Sequence, residues 1–239
     1  INQNFIKLYN KFCPGPITFI LKLKSKNKIS KNVTNKKKTL AVRFPKHSLT
    51  RKLLKELDFP LAAPSANIST KVSAVSKKDV EEEFGNKIKF ILDGGSSKIG
   101  LESTIVNLDP KPAILRLGAI EVSKINKVLK NKVNYKSKNN KNSVPGQGKL
   151  HYSPGIQIRR NVKNPKKHEA FLLIKKRKIS DKNFFYLTKN NNLNEAGKNL
   201  YKTLRMIKKL KYNSISVEKI PNKGIGQTIN DRLIRASKR

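Results

Sequence analysis

The ten residues Pro60-Leu61-Ala62-Ala63-Pro64-Ser65-Ala66-Asn67-Ile68-Ser69 constrain the fold more than any other part of this chain. They combine two prolines, a run of small residues, and polar side chains at Ser65, Asn67 and Ser69 that can bond a phosphate or a nucleotide. A plain surface loop has little use for Ala-Ala-Pro-Ser-Ala, because solvent tolerates bulk. Small residues in a run mean that backbone comes close to something, either another strand or a ligand. A tight turn leaving a buried strand accounts for the stretch equally well.

Around it the chain alternates strand and helix patterns. The spacing of Phe5, Leu8, Tyr9 and Phe12 predicts a helix over residues 2–12, stopped by Cys13-Pro14-Gly15-Pro16. Residues 17–23 and 39–45 read as strands, joined by a lysine-rich connection over 24–38 that has no apolar period. Ser48 or Thr50 can cap a helix reaching Leu57, with Leu49, Leu53, Leu54 and Leu57 toward the core. Ser76 caps a helix to Phe84, whose acidic residues lie early, where the helix dipole favours them. Residues 90–95, 103–108 and 113–118 read as strands, the last two as a hairpin around Asp109-Pro110-Lys111-Pro112. A helix over 120–129 follows.

Residues 131–149 lose all apolar period, and Val144-Pro145-Gly146-Gln147-Gly148 is a loop signature. Beyond them come strands at 170–174 and 184–187, an amphipathic helix over 195–210, a strand at 214–218 and a helix over 228–236. The expected organisation is an α/β domain over 1–130, a linker over 131–158 and a smaller α/β domain over 159–239.

Composition narrows the function classes. At 239 residues with 36% hydrophobic content the chain has room for a core, and its formal net charge of +39 favours polyanions. Lysine is spread along the whole length together with asparagine, which points to a general drift in composition rather than to a dedicated nucleic-acid face. The lone Cys13 forms no internal disulfide and fits a reducing, cytoplasmic setting. His47, His151 and His168 show no metal-ligand spacing. No apolar run approaches the roughly 18 residues of a membrane span. Walker A, GxGxxG and HExxH patterns are absent, and so is a convincing Ser/His/Asp set.

The polar residues beside strand ends remain as candidates. Arg43, in Ala41-Val42-Arg43-Phe44-Pro45, and Arg116, in Leu115-Arg116-Leu117-Gly118, each sit in an apolar strand pattern. A guanidinium there needs an anion, supplied by a carboxylate or phosphate ligand or by an internal Asp or Glu. With only 15 acidic residues in the chain, an anionic ligand is the favoured partner. Glu102-Ser103-Thr104 adds hydroxyls at a strand start, and Gly94-Gly95 would let backbone approach a ligand.

Taken in order, these residues resemble the threonylcarbamoyl-AMP synthase family, whose catalytic part is a YrdC-like domain. The resemblance runs through Pro14-Gly15-Pro16-Ile17-Thr18, Val42-Arg43-Phe44-Pro45, Ala63-Pro64-Ser65-Ala66-Asn67-Ile68-Ser69, Leu101-Glu102-Ser103-Thr104-Ile105-Val106 and Leu115-Arg116-Leu117-Gly118. It continues through Pro145 to Pro154 and ends with Gly224-Ile225-Gly226-Gln227-Thr228-Ile229-Asn230-Asp231-Arg232-Leu233, similar to the tail of two-domain members. It implies a YrdC-like twisted, mixed, open sheet with helices, plus a smaller Rossmann-like α/β domain joined by a linker. The implied reaction joins L-threonine, bicarbonate and ATP, with Mg2+, into L-threonylcarbamoyl-adenylate and pyrophosphate. The product feeds threonylcarbamoyl modification of tRNA adenosine through downstream transfer proteins.

Carried over by motif, Arg43 would pair with the threonine carboxylate, with Ala63 and Ser103 lining the same pocket. Thr39, Ser65, Ser73 and Arg116 would hold ATP, and Tyr152 would fold over it as a lid; Asn67 would neighbour that site. The family also carries strands and a Lys-x-Arg element ahead of the Pro-Gly-Pro motif, whereas this chain begins at Ile1, just before Pro14. The expectation is therefore weakened ligand binding and activity in the chain as it stands. An RNA-binding module of the same fold without chemistry, and an inactive fragment, are the competing readings.

Overall fold

The computed structural model describes residues 1–135, 144 and 150–238, arranged as two compact units. Among the described residues no helix is long and apolar enough to cross a membrane. Residues 136–143 and 145–149 of the expected linker, including Pro145-Gly146-Gln147-Gly148, lie outside the described residues.

The first unit comprises residues 1–64 and 102–144. Helix α1 (Gln3–Phe12) starts where the Asn2 side chain accepts the Phe5 amide at 3.0 Å and stops at Cys13, ahead of Pro14. Strands β1 (Ile17–Lys22), β2 (Thr39–Arg43), β3 (Thr104–Asn107), β4 (Ala113–Arg116) and β5 (Asn134–Tyr135) form a mixed sheet in the order β2-β1-β3-β4-β5. β1 runs antiparallel to β2 and parallel to β3, and β3 and β4 form the expected antiparallel hairpin. Helix α5 (Val122–Leu129) and α1 cover one face. Phe5 meets Phe19 edge-on at 4.8 Å, and Ile17, Phe19, Val106, Ile114 and Ile125 of this core have no solvent exposure. Alternation along β1 then turns Thr18 and Ile20 to the opposite face.

Three expectations for this unit change. The connection over 24–38 contains a short helix, α2 (Lys31–Thr34), capped by Ser30 and closed by Asn35 in the left-handed conformation. Helix α3 (Ser48–Lys55) buries none of its residues, and Leu53 is 38% exposed. The core lies under α1 and α5 over the middle strands, whereas α3 follows an edge strand and falls outside it. β2 is that edge strand, so it is half-exposed rather than apolar on both sides, and it ends at Arg43 before Pro45.

The second unit comprises residues 65–101 and 145–239. Strands β6 (Gln157–Arg160), β7 (Glu169–Lys175), β8 (Phe184–Thr188) and β9 (Ser214–Val217) form an all-parallel sheet in the order β6-β9-β7-β8. Central β7 is buried along all but its last residue, as a near-continuous apolar run in a parallel sheet requires. Helix α6 (Leu193–Lys209) packs on β8 and β7 and against α7 (Ile225–Ala236). Ala196, Leu200, Leu204 and Ile207 of α6 are buried at helical spacing.

β6 has no apolar run to betray it. Its Arg159 is held across the sheet by Glu169 at 2.6 Å, and Ser214 and Ser216 donate to the same carboxylate. The hydrogen bond from Arg159, followed by those from Ser216, the Lys166 amide and Ser214, holds the Glu169 carboxyl well below the usual range despite its burial.

Residues 65–101 pack into this second unit through helix α4 (Lys77–Phe84), which Ser76 caps as expected. Gly100, at φ +75°, lies so close to α6 that a Cβ there would sit 2.2 Å from the Lys198 carbonyl oxygen. The strand expected at 90–95 is absent: Phe90 is 90% exposed, and Gly94-Gly95 lie in an exposed turn where Asp93 accepts the Gly95 amide. A β-propense run without a neighbouring strand has no ladder to join.

Candidate functional site

In the first unit the sheet registers set one row of residues across four strands. Thr18 of β1 stands opposite Arg43 of β2 and level with Ile105 of β3, which stands opposite Arg116 of β4. The two arginine positions are thus three strand spacings apart, about 14 Å between Cα atoms, a gap two long side chains can narrow from both ends. Between them lie two buried hydroxyls, Thr18 Oγ1 and Ser103 Oγ, 2.7 Å apart. Arg116 donates to the Ser103 carbonyl at 2.9 and 3.2 Å and to Ser103 Oγ at 3.1 Å. Its fork is therefore oriented by Ser103, just ahead of β3.

The backbone around Ser103 is fixed from several sides. The Thr104 amide donates to the Pro16 carbonyl at 3.0 Å, and the Ala119 amide to the Glu102 carbonyl at 2.9 Å. Thr104 Oγ1 donates to the Ile120 carbonyl at 2.7 Å and accepts the Ile120 amide at 3.0 Å. Gly118 permits this packing, since a Cβ there would lie 2.4 Å from the Ser103 carbonyl carbon.

Arg43 is not the buried cation its strand pattern suggested, because β2 is an edge strand and Arg43 is exposed. Its Nε donates to the Gly15 carbonyl at 3.4 Å, and among the described residues no carboxylate pairs with it. The surrounding protein, and then the like charge of Arg116, lower its pKa from the ordinary arginine value. Solvent weakens the first effect at an exposed residue. The second is the informative one, because two cations share one region and an anion there would be attracted by both.

The other expected site residues are placed as follows. Thr39 begins β2, four residues from Arg43 and on the same face, about 13 Å along the strand. Only an extended ligand spans that distance. Ala63 is exposed in irregular chain at the end of the first unit. In the second unit Ser65 is exposed and Ser73 is buried. Asn67 is buried, and its amide nitrogen donates to the Ile68 and Lys71 carbonyls at 2.9 and 3.2 Å.

Tyr152 is buried in the second unit, with its ring stacked on Tyr201 at 5.7 Å and the Arg232 guanidinium 4.6 Å from its centre. Its ring is thus part of the wall of this unit rather than a free flap. Next to it, the Ser153 carbonyl accepts the Val72 amide at 3.2 Å, and the Ser153 amide donates to the Thr70 carbonyl at 2.8 Å. The strip carrying Ser73 and the strip carrying Tyr152 are therefore paired backbone to backbone. The sequence shows Thr18 and Gly118 only as motif members; sheet register brings Thr18 to the row, and close backbone approach brings Gly118 against Ser103. Among the described residues no group of three His, Cys, Asp or Glu side chains gathers to hold a metal.

Comparisons with known proteins bear on the family and the fold. A family model described as "Telomere recombination", for the Sua5, YciO and YrdC proteins, matches residues 1–118. A second, described as "Threonylcarbamoyl-AMP synthase, C-terminal domain", matches residues 120–238. The threonylcarbamoyl-AMP synthase of Pyrococcus abyssi is 32% identical over 96% of this chain and 72% of its own length. The chain belongs to the threonylcarbamoyl-AMP synthase family. The Bacillus subtilis threonylcarbamoyl-AMP synthase is 30% identical with the same coverage of both chains. That of Schizosaccharomyces pombe is 37% identical over 66% of this chain and 42% of its own length. The crystal structure of Pyrococcus abyssi Sua5 complexed with L-threonine superposes with a TM-score of 0.87 at 30% identity, covering 99% of this chain and 74% of that one. The mixed α/β architecture with two sheets is thus that of the threonylcarbamoyl-AMP synthases.

Proposed function

We propose that this chain makes threonylcarbamoyl-AMP from L-threonine, bicarbonate and ATP, as a nucleotidyltransferase serving tRNA threonylcarbamoyladenosine synthesis. The observation that carries the reading is the row Arg43, Thr18, Ile105 and Arg116, two cations with the Thr18 and Ser103 hydroxyls between them and, among the described residues, no carboxylate on Arg43. The amine nitrogen of threonine attacks bicarbonate carbon and releases water, leaving a carbamate. A carbamate oxygen then attacks the α-phosphorus, and the bond to the bridging oxygen breaks to release pyrophosphate. No covalent enzyme intermediate is needed, so the chain's contribution is positioning and charge neutralisation.

In this reading Arg43 takes the threonine carboxylate with a bidentate fork that lysine cannot copy. Ser103 and Ala63 line the amino-acid pocket. Arg116 meets the phosphates, while Ser65, Ser73 and Tyr152 hold ATP. Thr39 meets the far part of the same extended ligand. Mg2+ enters with ATP as counter-ion to its triphosphate. The product passes to downstream threonylcarbamoyl-transfer proteins in the cytoplasm, and the charge of +39 supports an affinity for RNA.

The test is pyrophosphate release dependent on L-threonine and bicarbonate, with threonylcarbamoyl-AMP identified by mass. Arg43→Lys is expected to raise the threonine KM about tenfold or more and leave the ATP KM within twofold. Turnover that is indifferent to threonine, or unaffected by Arg43→Lys, overturns the assignment.

A further inference from the structure

Arg205 lies in the middle of α6, outside every motif named above, yet its guanidinium is almost fully spent on the segment 72–83. Nη1 donates to the Val72 carbonyl at 3.3 Å and Nη2 to the Asp79 carbonyl at 3.1 Å. Nε pairs with Asp79 Oδ1 at 3.2 Å, and both terminal nitrogens reach Glu83 Oε2 at 3.2 Å. All three side chains are close to fully buried, so this is not a solvent-screened surface pair. The anchor extends outward: Glu83 accepts the Ile68 amide at 3.2 Å, Asp79 accepts the Val75 amide at 2.9 Å, and Lys209 pairs with Glu82 at 2.6 Å. Burial of Asp79 would raise its pKa, but the Val75 amide, Arg205 and Ser76 outweigh that and hold it below the usual carboxylate value.

Val72 is the crux. Its amide donates to Ser153 and its carbonyl accepts from Arg205, so both peptide groups flanking it are pinned. The Val72 carbonyl and the Ser73 amide belong to one rigid plane. Fixing one fixes the other, and the Ser153 contact extends the same hold to the residue beside Tyr152.

We propose that Arg205 is a positioning residue for ATP: α6 holds Ser73 and the Tyr152-Ser153 strip in register through the Val72 peptide. The proposal rests on the synthase reading for its ligand, because it takes Ser73 and Tyr152 as ATP contacts. It also assigns a task to α6, that of holding the strip that carries Ser73 and Tyr152 within the second unit.

The experiment compares wild type with Arg205→Ala and with the triple variant Arg205→Met, Asp79→Asn, Glu83→Gln. The triple variant removes the clamp without stranding a buried charge. The ATP KM is expected to rise about tenfold in both, as loss of one well-placed hydrogen bond implies, with the threonine KM within twofold and kcat within threefold. Arg205→Lys should recover little of this, because a single ammonium cannot reach the carbonyls and both carboxylates together. Hydrogen exchange at the Val72 and Ser73 amides should quicken at least tenfold in the variants. A folded triple variant with unchanged exchange at these amides overturns the proposal, as does an equal rise in both KM values. Wild type that forms no threonylcarbamoyl-AMP would overturn the synthase reading instead, while the exchange measurement, which needs no turnover, still decides the clamp.

Discussion

Gly118→Ala tests whether backbone packing in the first unit sets the proposed threonine pocket. The added Cβ would lie 2.4 Å from both the Ser103 carbonyl carbon and the Thr104 nitrogen, and 2.6 Å from the Glu102 oxygen. To reach ordinary contact the Ser103 peptide must retreat about 1 Å. It cannot retreat alone, because Pro16, Ala119 and Arg116 hold residues 102–104 by hydrogen bonds of 2.9–3.0 Å. The retreat therefore drags Ser103 Oγ and the Arg116 fork together. Overpacking of this kind costs about 1–3 kcal/mol of stability, and a displacement of about 1 Å at a reacting centre costs about a hundredfold in rate. The expected outcome is a folded enzyme whose kcat/KM for threonine falls about a hundredfold. The assay is threonine-dependent pyrophosphate release, with thermal melting as the control for folding. A folded Gly118→Ala protein with kcat/KM within twofold of wild type would show that this close approach does not position Ser103.

Two further outcomes follow from buried polar groups. Thr104→Val removes a hydroxyl that serves the Ile120 amide and carbonyl at once, and should cost about 2–4 kcal/mol by urea unfolding. Glu169 has a folded-state pKa below its unfolded value, so its contribution is full above about pH 4.5 and is lost as pH falls through the folded value. Wild type should therefore lose stability between about pH 4.5 and lower pH, and Glu169→Gln should flatten that slope while costing about 2–4 kcal/mol at pH 7.

What the residues disclosed in advance was what local pattern controls. The spacing of Phe5 and Leu8, the Ser76 cap and the turn at Asp109-Pro110 each act within a few residues, and α1, α4 and the β3–β4 hairpin formed as read. The failures share a cause in tertiary context. Residues 90–95 have strand propensity but no partner, α3 has an apolar face with no core beneath it, and β2 is an edge rather than a central strand. β6 was missed because its stabilisation comes from Arg159 meeting Glu169 across the sheet, which no period reveals. At the site, Arg43 and Arg116 were legible as cations in strand patterns, but their common row through Thr18 depends on register. Arg205 left one faint trace, the pair Asp79 and Glu83 four apart on one helix face of a chain poor in acids.

Residues 65–101 fall within the first family match yet pack with residues 145–239. A protein engineer cutting this chain after residue 118, or after α5, would remove the scaffold of Ser65 and Ser73 and keep the serines. Such a half-molecule would bring its cations intact and its serine strip adrift. Transplanting the front half onto a foreign tail would fail for the same reason unless the donor supplied its own arginine for the Val72 carbonyl.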